Sequence, residues 1–252
     1  MKRSRDERHI SWMNIRGKRR RWVAVAVFAA VLAGIAVTFL MAQHRPGWYR
    51  PATLTLTDEN AMRTVRRDAT NTFDAFGDRI VEGKRFEFEL TEQAVNQVLA
   101  ALPQLWPEAA GSIPRELADL AVSFGNGWAR IGAMVSTSNW QAIGGVALAV
   151  TVVEDGAKLK LALVGASCGS LPLPRAILEP ALNRSLKRPP PKSADAEFES
   201  IELGSVVESA AQLYEGITIP NRFTWPNGER RFRLKAIQFS PGKMRLEIEP
   251  LR

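Results

Sequence analysis

Leu163–Pro174 reads LVGASCGSLPLP, and two folds compete for it. Gly165-Ala-Ser-Cys-Gly169 matches G-x-S-x-G, which in α/β-hydrolases forms a strained strand-to-helix turn presenting a nucleophilic serine. Such a serine needs a histidine to take its proton. The chain has two, His9 and His44. Both precede Ser167, whereas α/β-hydrolases place the histidine last. The motif should also open a helix, yet Ser170-Leu-Pro-Leu-Pro174 follows. A plainer reading fits better: Gly165 and Gly169 let a strand leave an antiparallel sheet, and Pro172 and Pro174 set up the start of the next helix.

The flanking sequence agrees. Upstream, residues alternate with a period of two near 120–125, 128–138, 142–154 and 158–165, with Gly125-Asn126-Gly127 and Asp155-Gly156 as hairpin turns. The 142–154 run sets Val146, Leu148, Val150 and Val152 on one face and the small Gly145, Ala147 and Ala149 on the other. The small face leaves room for something to lie against it. Downstream, Pro174–Lys187 reads as a helix that Pro180 interrupts or bends. Arg188-Pro-Pro-Pro-Lys192 reads as an extended linker. Residues 196–203 are strand-like and 205–215 helix-like. A three-strand meander near 217–225, 230–239 and 243–249 closes the chain, turning at Pro226-Asn227-Gly228 and Pro241-Gly242.

Nearer the N-terminus, Thr57-Asp58-Glu59 begins an amphipathic helix of about 24 residues, with Met62, Val65, Ala69, Phe73, Phe76 and Ile80 on one stripe. Arg85–Leu90 alternates as a strand. Thr91 caps a second helix carrying Val95, Val98, Leu99 and Leu102 and ending near Pro103. Residues 103–119 are broken by prolines, with a short helix expected around Arg115–Leu120.

Trp22–Ala42 holds 21 residues without a charge. As a helix it would reach about 31 Å, against a bilayer core of about 30 Å. Arg16 and Lys18–Arg21 precede it, which orients the N-terminus inward. A signal peptide has a shorter apolar region and a small-residue cleavage site, and Leu40-Met41-Ala42 is a poor one, so an uncleaved single-pass anchor in the cell membrane is expected. The layout is then a basic cytoplasmic tail over 1–21, a transmembrane helix over 22–42, a juxtamembrane linker over 43–56 and an extracytoplasmic domain over 57–252. Within the linker, HRPGWYRP (44–51) resembles an interfacial collar, with Trp48 and Tyr49 at head-group level.

Net charge is +8, but residues 1–21 hold nine basic and two acidic side chains, while the other 231 residues carry 25 and 24. The basicity belongs to the topology signal, which leaves nucleic acid disfavoured as a partner. Cys168 is the one cysteine, so no intramolecular disulfide can form.

Other chemistry is weakly represented. Ser240-Pro-Gly-Lys243 matches S-x-x-K but falls on a hairpin turn, without S-D-N or K-T-G. Cys168 has no histidine partner and reads as a small core residue. Ligand-rich clusters and phosphate loops are missing, so neither a metal nor any other cofactor is expected. Glu87 and Glu89 point away from the phenylalanine face, as solvated carboxylates do. Trp106, Trp128, Trp140 and Trp225 are scattered, as core tryptophans are. No catalytic residue is assigned, and the chain is read as a non-enzyme.

Two segments carry a family resemblance. FELTEQAVNQVL (88–99) resembles the strand, Leu-Thr and Asn-bearing helix of YpmS-like bacterial membrane-anchored proteins, and VGASCGSLPLP resembles their strand–G-x-L-P-L-P–helix segment. The resemblance covers roughly residues 50–190. It implies kinship with the tubular lipid-binding (TULIP-like) superfamily, in which a curved sheet wraps a helix around an apolar groove. Leu90, Thr91, Asn96, Leu171, Pro172 and Pro174 would then define the fold.

The expected fold is α+β: an N-terminal transmembrane helix followed by a curved antiparallel sheet packed on long amphipathic helices. The expected function is non-catalytic binding of a lipid or other apolar ligand in a groove between Met62, Val65, Phe73 and Phe76 on the helix and Val146, Leu148 and Val150 on the sheet. The alternatives are that these faces close into a plain core, or that the domain is an envelope scaffold whose partner is another protein.

Overall fold

The computed structural model describes residues 26–53, 59–111, 113–114, 117–136, 140–186, 209–225 and 230–251. The basic tail, Thr57, the polyproline linker, the 196–203 strand and the Pro226-Asn227-Gly228 turn lie outside them. The chain forms two compact units, Met1–Ala42 and Gln43–Arg252. Helix α1 (Ala26–Gln43) is long and apolar enough to cross a membrane. By length and composition an anchor and a signal sequence both meet that test.

The second unit is α+β. Its elements run α2 (Glu59–Glu82), β1 (Phe86–Thr91), α3 (Glu92–Leu105), α4 (Pro107–Gly111), β2 (Leu117–Gly125), β3 (Trp128–Ser136), β4 (Gln141–Val153) and β5 (Lys158–Cys168). They continue with β6 (Leu171–Leu173), α5 (Arg175–Leu186), α6 (Ala210–Glu215), β7 (Ile217–Pro220), β8 (Phe223–Thr224), β9 (Arg231–Ser240) and β10 (Lys243–Leu251). All described pairing is antiparallel, and it makes two sheets rather than one. The first has the order β1-β10-β9-β8. The second has the order β2-β3-β4-β5-β6, with β7 also on β5.

The first sheet has one apolar and one charged face, as period-two strands dictate. Phe86, Phe88 and Leu90 stand opposite Ile248, Leu246 and Met244. Ile80 of α2 packs with Phe86 and Ile248, and Phe76 joins them. On the other face Arg85 pairs Glu247 and Glu249 at 3.2 Å, Arg233 pairs Glu249 at 2.6 Å, and Lys243 and Arg245 pair Glu89. Hydrogen bonds from Lys243 and then Arg245 hold the Glu89 carboxyl below its ordinary range, so the ladder stays charged.

Two buried asparagines complete the sheet edges. Thr91 caps α3 by accepting from the Ala94 amide, which starts the helix alongside β2. One turn on, Asn96 donates through Nδ2 to the Val122 carbonyl and accepts from the Val122 amide. The Phe124 amide donates to Glu92. Val122 and Phe124 are alternate residues of an edge strand, so α3 supplies side chains where a further strand would supply backbone. Asn221 does the same for β9. Its Nδ2 donates to the carbonyls of Leu234 and Gly156, and its Oδ1 accepts from the Leu234 amide.

Asn221 also explains where the expected meander fails. The run 217–225 is not one strand. It breaks at Asn221, where the chain crosses between sheets: β7 pairs β5, and only Phe223 and Thr224 pair β9. A second correction falls at 115–120, where a short helix was expected. Leu117 already begins β2, and the register shifts between Ala118 and Ala121, with Asp119 at φ 49°. That bulge interrupts the alternation by which strands are recognised. α5 runs through Pro180 unbroken, and α6 is short, starting at Ser209 with a capping box to Gln212.

The collar is folded onto the domain. Tyr49 is only 3% exposed and packs with Ala121 and Ile143, Trp48 beside it. Its hydroxyl donates to the Asp119 carbonyl. The benzo ring of Trp48 lies against Gly132 and Gly145, where an added Cβ would stand 2.5 and 2.7 Å from it. The small face of β4 is therefore occupied, and its occupant is the collar tryptophan.

Burial, followed by the Asp119 charge, pushes the Tyr49 phenol up to about 12. A raised folded-state value means that this contribution is complete below about pH 10 and fades as pH rises toward 12. Spectrophotometric titration should show one of the two tyrosines ionising near 12. In Gly145→Val, which expels Trp48, that midpoint should fall toward about 10. An unmoved midpoint would refute the docking of the collar.

Candidate functional site

The amphipathic stripe of α2 meets the apolar faces of α3 and the first sheet along a groove of about 490 Å³. Val65, Ala69, Phe73 and Phe76 come from α2, and Val95 and Val98 from α3. The floor is Phe88 and Leu90 of β1, Phe232 and Leu234 of β9, and Leu246 of β10, with Phe223 and Trp225 closing one side. Asp68, Thr72 and Gln97 supply the polar lining. Thr72 turns its hydroxyl onto the Asp68 carbonyl.

Aromatic packing sets the shape. Ring centroids of Phe88, Trp225, Phe86 and Phe232 lie 5.0, 5.1, 5.6 and 5.6 Å from that of Phe76, three of the four edge-to-face. Phe73, one turn earlier, contacts Trp106 and Trp225 yet is 47% exposed. Phe76 thus belongs to the wall and Phe73 to the rim. Apolar lining with sparse polar groups and a volume in the range of about 300–1,000 Å³ is the usual form of a small-molecule site.

The sequence-derived groove residues divide between two places. Val65, Phe73 and Phe76 line the groove. Met62 sits one turn away, buried with Val65 and Ala101. Val146, Leu148 and Val150 are on β4 of the second sheet and none lines this groove. Val146 is 41% exposed opposite Ile131 and Ala166, Leu148 faces Ala129 and Leu163, and Val150 borders a different cleft with Ile237 and Phe239. The groove's sheet wall comes instead from β1, β9 and β10. The alternation of Phe86, Phe88 and Leu90 with glutamates, and of Phe232 and Leu234 with arginines, was the signal for it.

Ser167 sits inside β5, paired with Gly145 and Pro172 in an antiparallel ladder, and not on a strand-to-helix turn. The imidazole of His44 meets another serine: Nδ1 lies 2.7 Å from Ser170 Oγ. Burial pushes the Cys168 thiol up, away from the reactive thiolate. Lys243 pairs Glu89, while the Ser240 hydroxyl donates to the Lys243 carbonyl at 3.4 Å. Among the described residues no three His, Cys, Asp or Glu side chains gather as metal ligands.

Compared with family models, curated proteins and solved structures, the chain matches none.

Proposed function

We propose that this chain is a single-pass membrane protein, its domain extracytoplasmic, that binds the acyl chain of a lipid in the groove between α2, α3 and the first sheet, without catalysis. The observation that carries this reading is the groove itself, apolar from Val65 to Leu246 with its polar groups few. An acyl chain offers no hydrogen bonds and suits such a lining, since burying its methylenes gains about 0.8 kcal/mol each. The helix α1 supplies the tether beside lipid. The likeness of FELTEQAVNQVL and VGASCGSLPLP to YpmS-like proteins, and through them to the TULIP-like superfamily with its curved sheet, supports the same reading.

A second reading, an envelope scaffold, is favoured by Ile131, Val146 and Val164. These are 45, 41 and 55% exposed on the second sheet, an apolar surface suited to a protein partner.

Titrating the full chain in amphipol with a fluorescent fatty acid tests the first reading. The wild type should take up one equivalent saturably. Val98→Trp, which fills the groove from a half-buried position on α3, should weaken uptake at least about tenfold, or about 1.4 kcal/mol, without lowering the melting temperature. Equal uptake by both proteins would place the ligand elsewhere, and no uptake by either would favour the scaffold.

A further inference from the structure

The face of the second sheet under Trp48 continues into another cleft, of about 440 Å³, on a different sheet from the acyl groove. Its floor is nearly bare backbone, with Gly145, Ala147 and Gly165 side by side across β4 and β5. Arg130 of β3 stands in the wall, opposite Ala147 in the register. Its guanidinium lies 4.8 Å from the ring centroids of both Trp48 and Trp128, held between two indoles.

Arg130 forms no ion pair among the described residues. It is half-buried, and burial pulls its pKa down. Removing a cation from water is costly unless an anion compensates it. On the outer face of the first sheet Arg85, Arg233 and Arg245 each have a carboxylate, whereas the exposed Arg231 is left to solvent.

Hydroxyl groups complete the cleft. Ser170 lies in the wall with its Oγ against His44, and the buried Oγ of Ser167 has no hydrogen-bond partner in the protein. A stacked guanidinium presents a fixed fork of N–H groups, which matches two oxygens of a phosphate, while a serine hydroxyl can serve a third. Arg45 and Arg50, both exposed on the collar, add positive charge nearby without carboxylate partners among the described residues.

We propose that the cleft between the collar and the second sheet binds a phosphate-bearing group, with Arg130 as its counter-ion and Ser170 as its hydrogen-bond donor. The phosphate can belong to a phospholipid head group or to a free phosphate ester. The site does not depend on the acyl groove.

Calorimetric titration of the full chain in a sugar-headed detergent, which contains no phosphate, tests this. The probes are sn-glycerol 3-phosphate and a short-chain phosphatidylglycerol. Saturable binding of both identifies the phosphate ester as the recognised unit, and binding of the lipid alone that persists in Val98→Trp identifies a head-group site away from the acyl groove. Arg130→Gln should weaken that binding at least about tenfold, and Arg130→Lys nearly as much, since an ammonium has neither the fork nor the plane. Gly165→Glu provides a second test in a fold left intact. A Cβ there meets no atom within 4 Å, yet the carboxylate enters the cleft and should abolish binding. The proposal is overturned if neither probe binds the wild type, or if Gly165→Glu binds as the wild type does.

Discussion

Asn221→Ala is expected to destabilise the domain by about 3–5 kcal/mol. The side chain is 2% exposed and makes three hydrogen bonds, to both backbone groups of Leu234 and to the Gly156 carbonyl. Alanine strands all three, and an unsatisfied buried group costs about 1–3 kcal/mol. The affected backbone belongs to β9 of the first sheet and to the turn joining β4 and β5 of the second, so the junction between the sheets loosens. At about 2–4 °C per kcal/mol for a domain of this size, the melting temperature should drop by about 6–20 °C. Asn221→Asp refines the test. It keeps the shape but loses the Nδ2 donor and turns a carboxylate toward two carbonyls. Burial should raise its folded-state pKa, so the protonated form is the one that fits. Stability of this variant relative to the wild type should therefore be greater near pH 4 and be lost as pH rises. A melting temperature unchanged in Asn221→Ala would show that the asparagine bridge does not hold the sheets together.

Phe76→Ala should cost about 3 kcal/mol, and Phe76→Asp more. Phe76 is the hub of four aromatic contacts from β1, β9 and the β8 end, and truncating a buried phenylalanine typically costs about 3–5 kcal/mol. Partial exposure of the ring toward the groove places it at the low end. Aspartate adds a carboxylate with no partner among four aromatic rings. The aspartate substitution therefore unfolds the groove wall, and a loss of ligand binding in that variant would say little about the groove. Phe73→Ala, at the 47% exposed rim, should cost much less, because nearly half of the residue already meets solvent. Chemical denaturation of the three variants checks the order: Phe76→Asp least stable, then Phe76→Ala, then Phe73→Ala. Equal midpoints for Phe73→Ala and Phe76→Ala would contradict the arrangement of wall and rim.

How much of this was legible in the sequence depended on how local the deciding contacts are. The α2 stripe from Met62 to Ile80 and the β1 alternation of Phe86, Phe88 and Leu90 repeat within a few residues, and both are read directly. Thr91 as a helix cap is equally local. The pairing of β1 with β10 joins residues some 160 positions apart, and no period within either strand announces it. The division into two sheets turns on the side-chain bonds of Asn221, a residue that looks like any turn asparagine.

For the site, the α2 stripe and the β1 alternation were legible, but which sheet faces α2 was not. In β4 the bulky Val146 face draws attention as a buried surface, yet the glycine face is the covered one, because Trp48 fills the space that Gly132 and Gly145 leave open. Trp48 and Tyr49 in turn resemble a membrane-interface pair in sequence. Only the distant partners Ala121, Ile143 and Arg130 show them packed on the sheet.

Photocrosslinking locates an acyl chain most directly. The full chain is incubated with a diazirine-bearing fatty acid, irradiated and digested, and the modified residues are mapped by mass spectrometry. The groove reading predicts adducts concentrated on Phe73, Phe76, Val95 and Val98, competed by unlabelled fatty acid and depleted in Val98→Trp. Adducts confined to α1 or to the exposed Ile131, Val146 and Val164 surface, with none on α2 or α3, would contradict it.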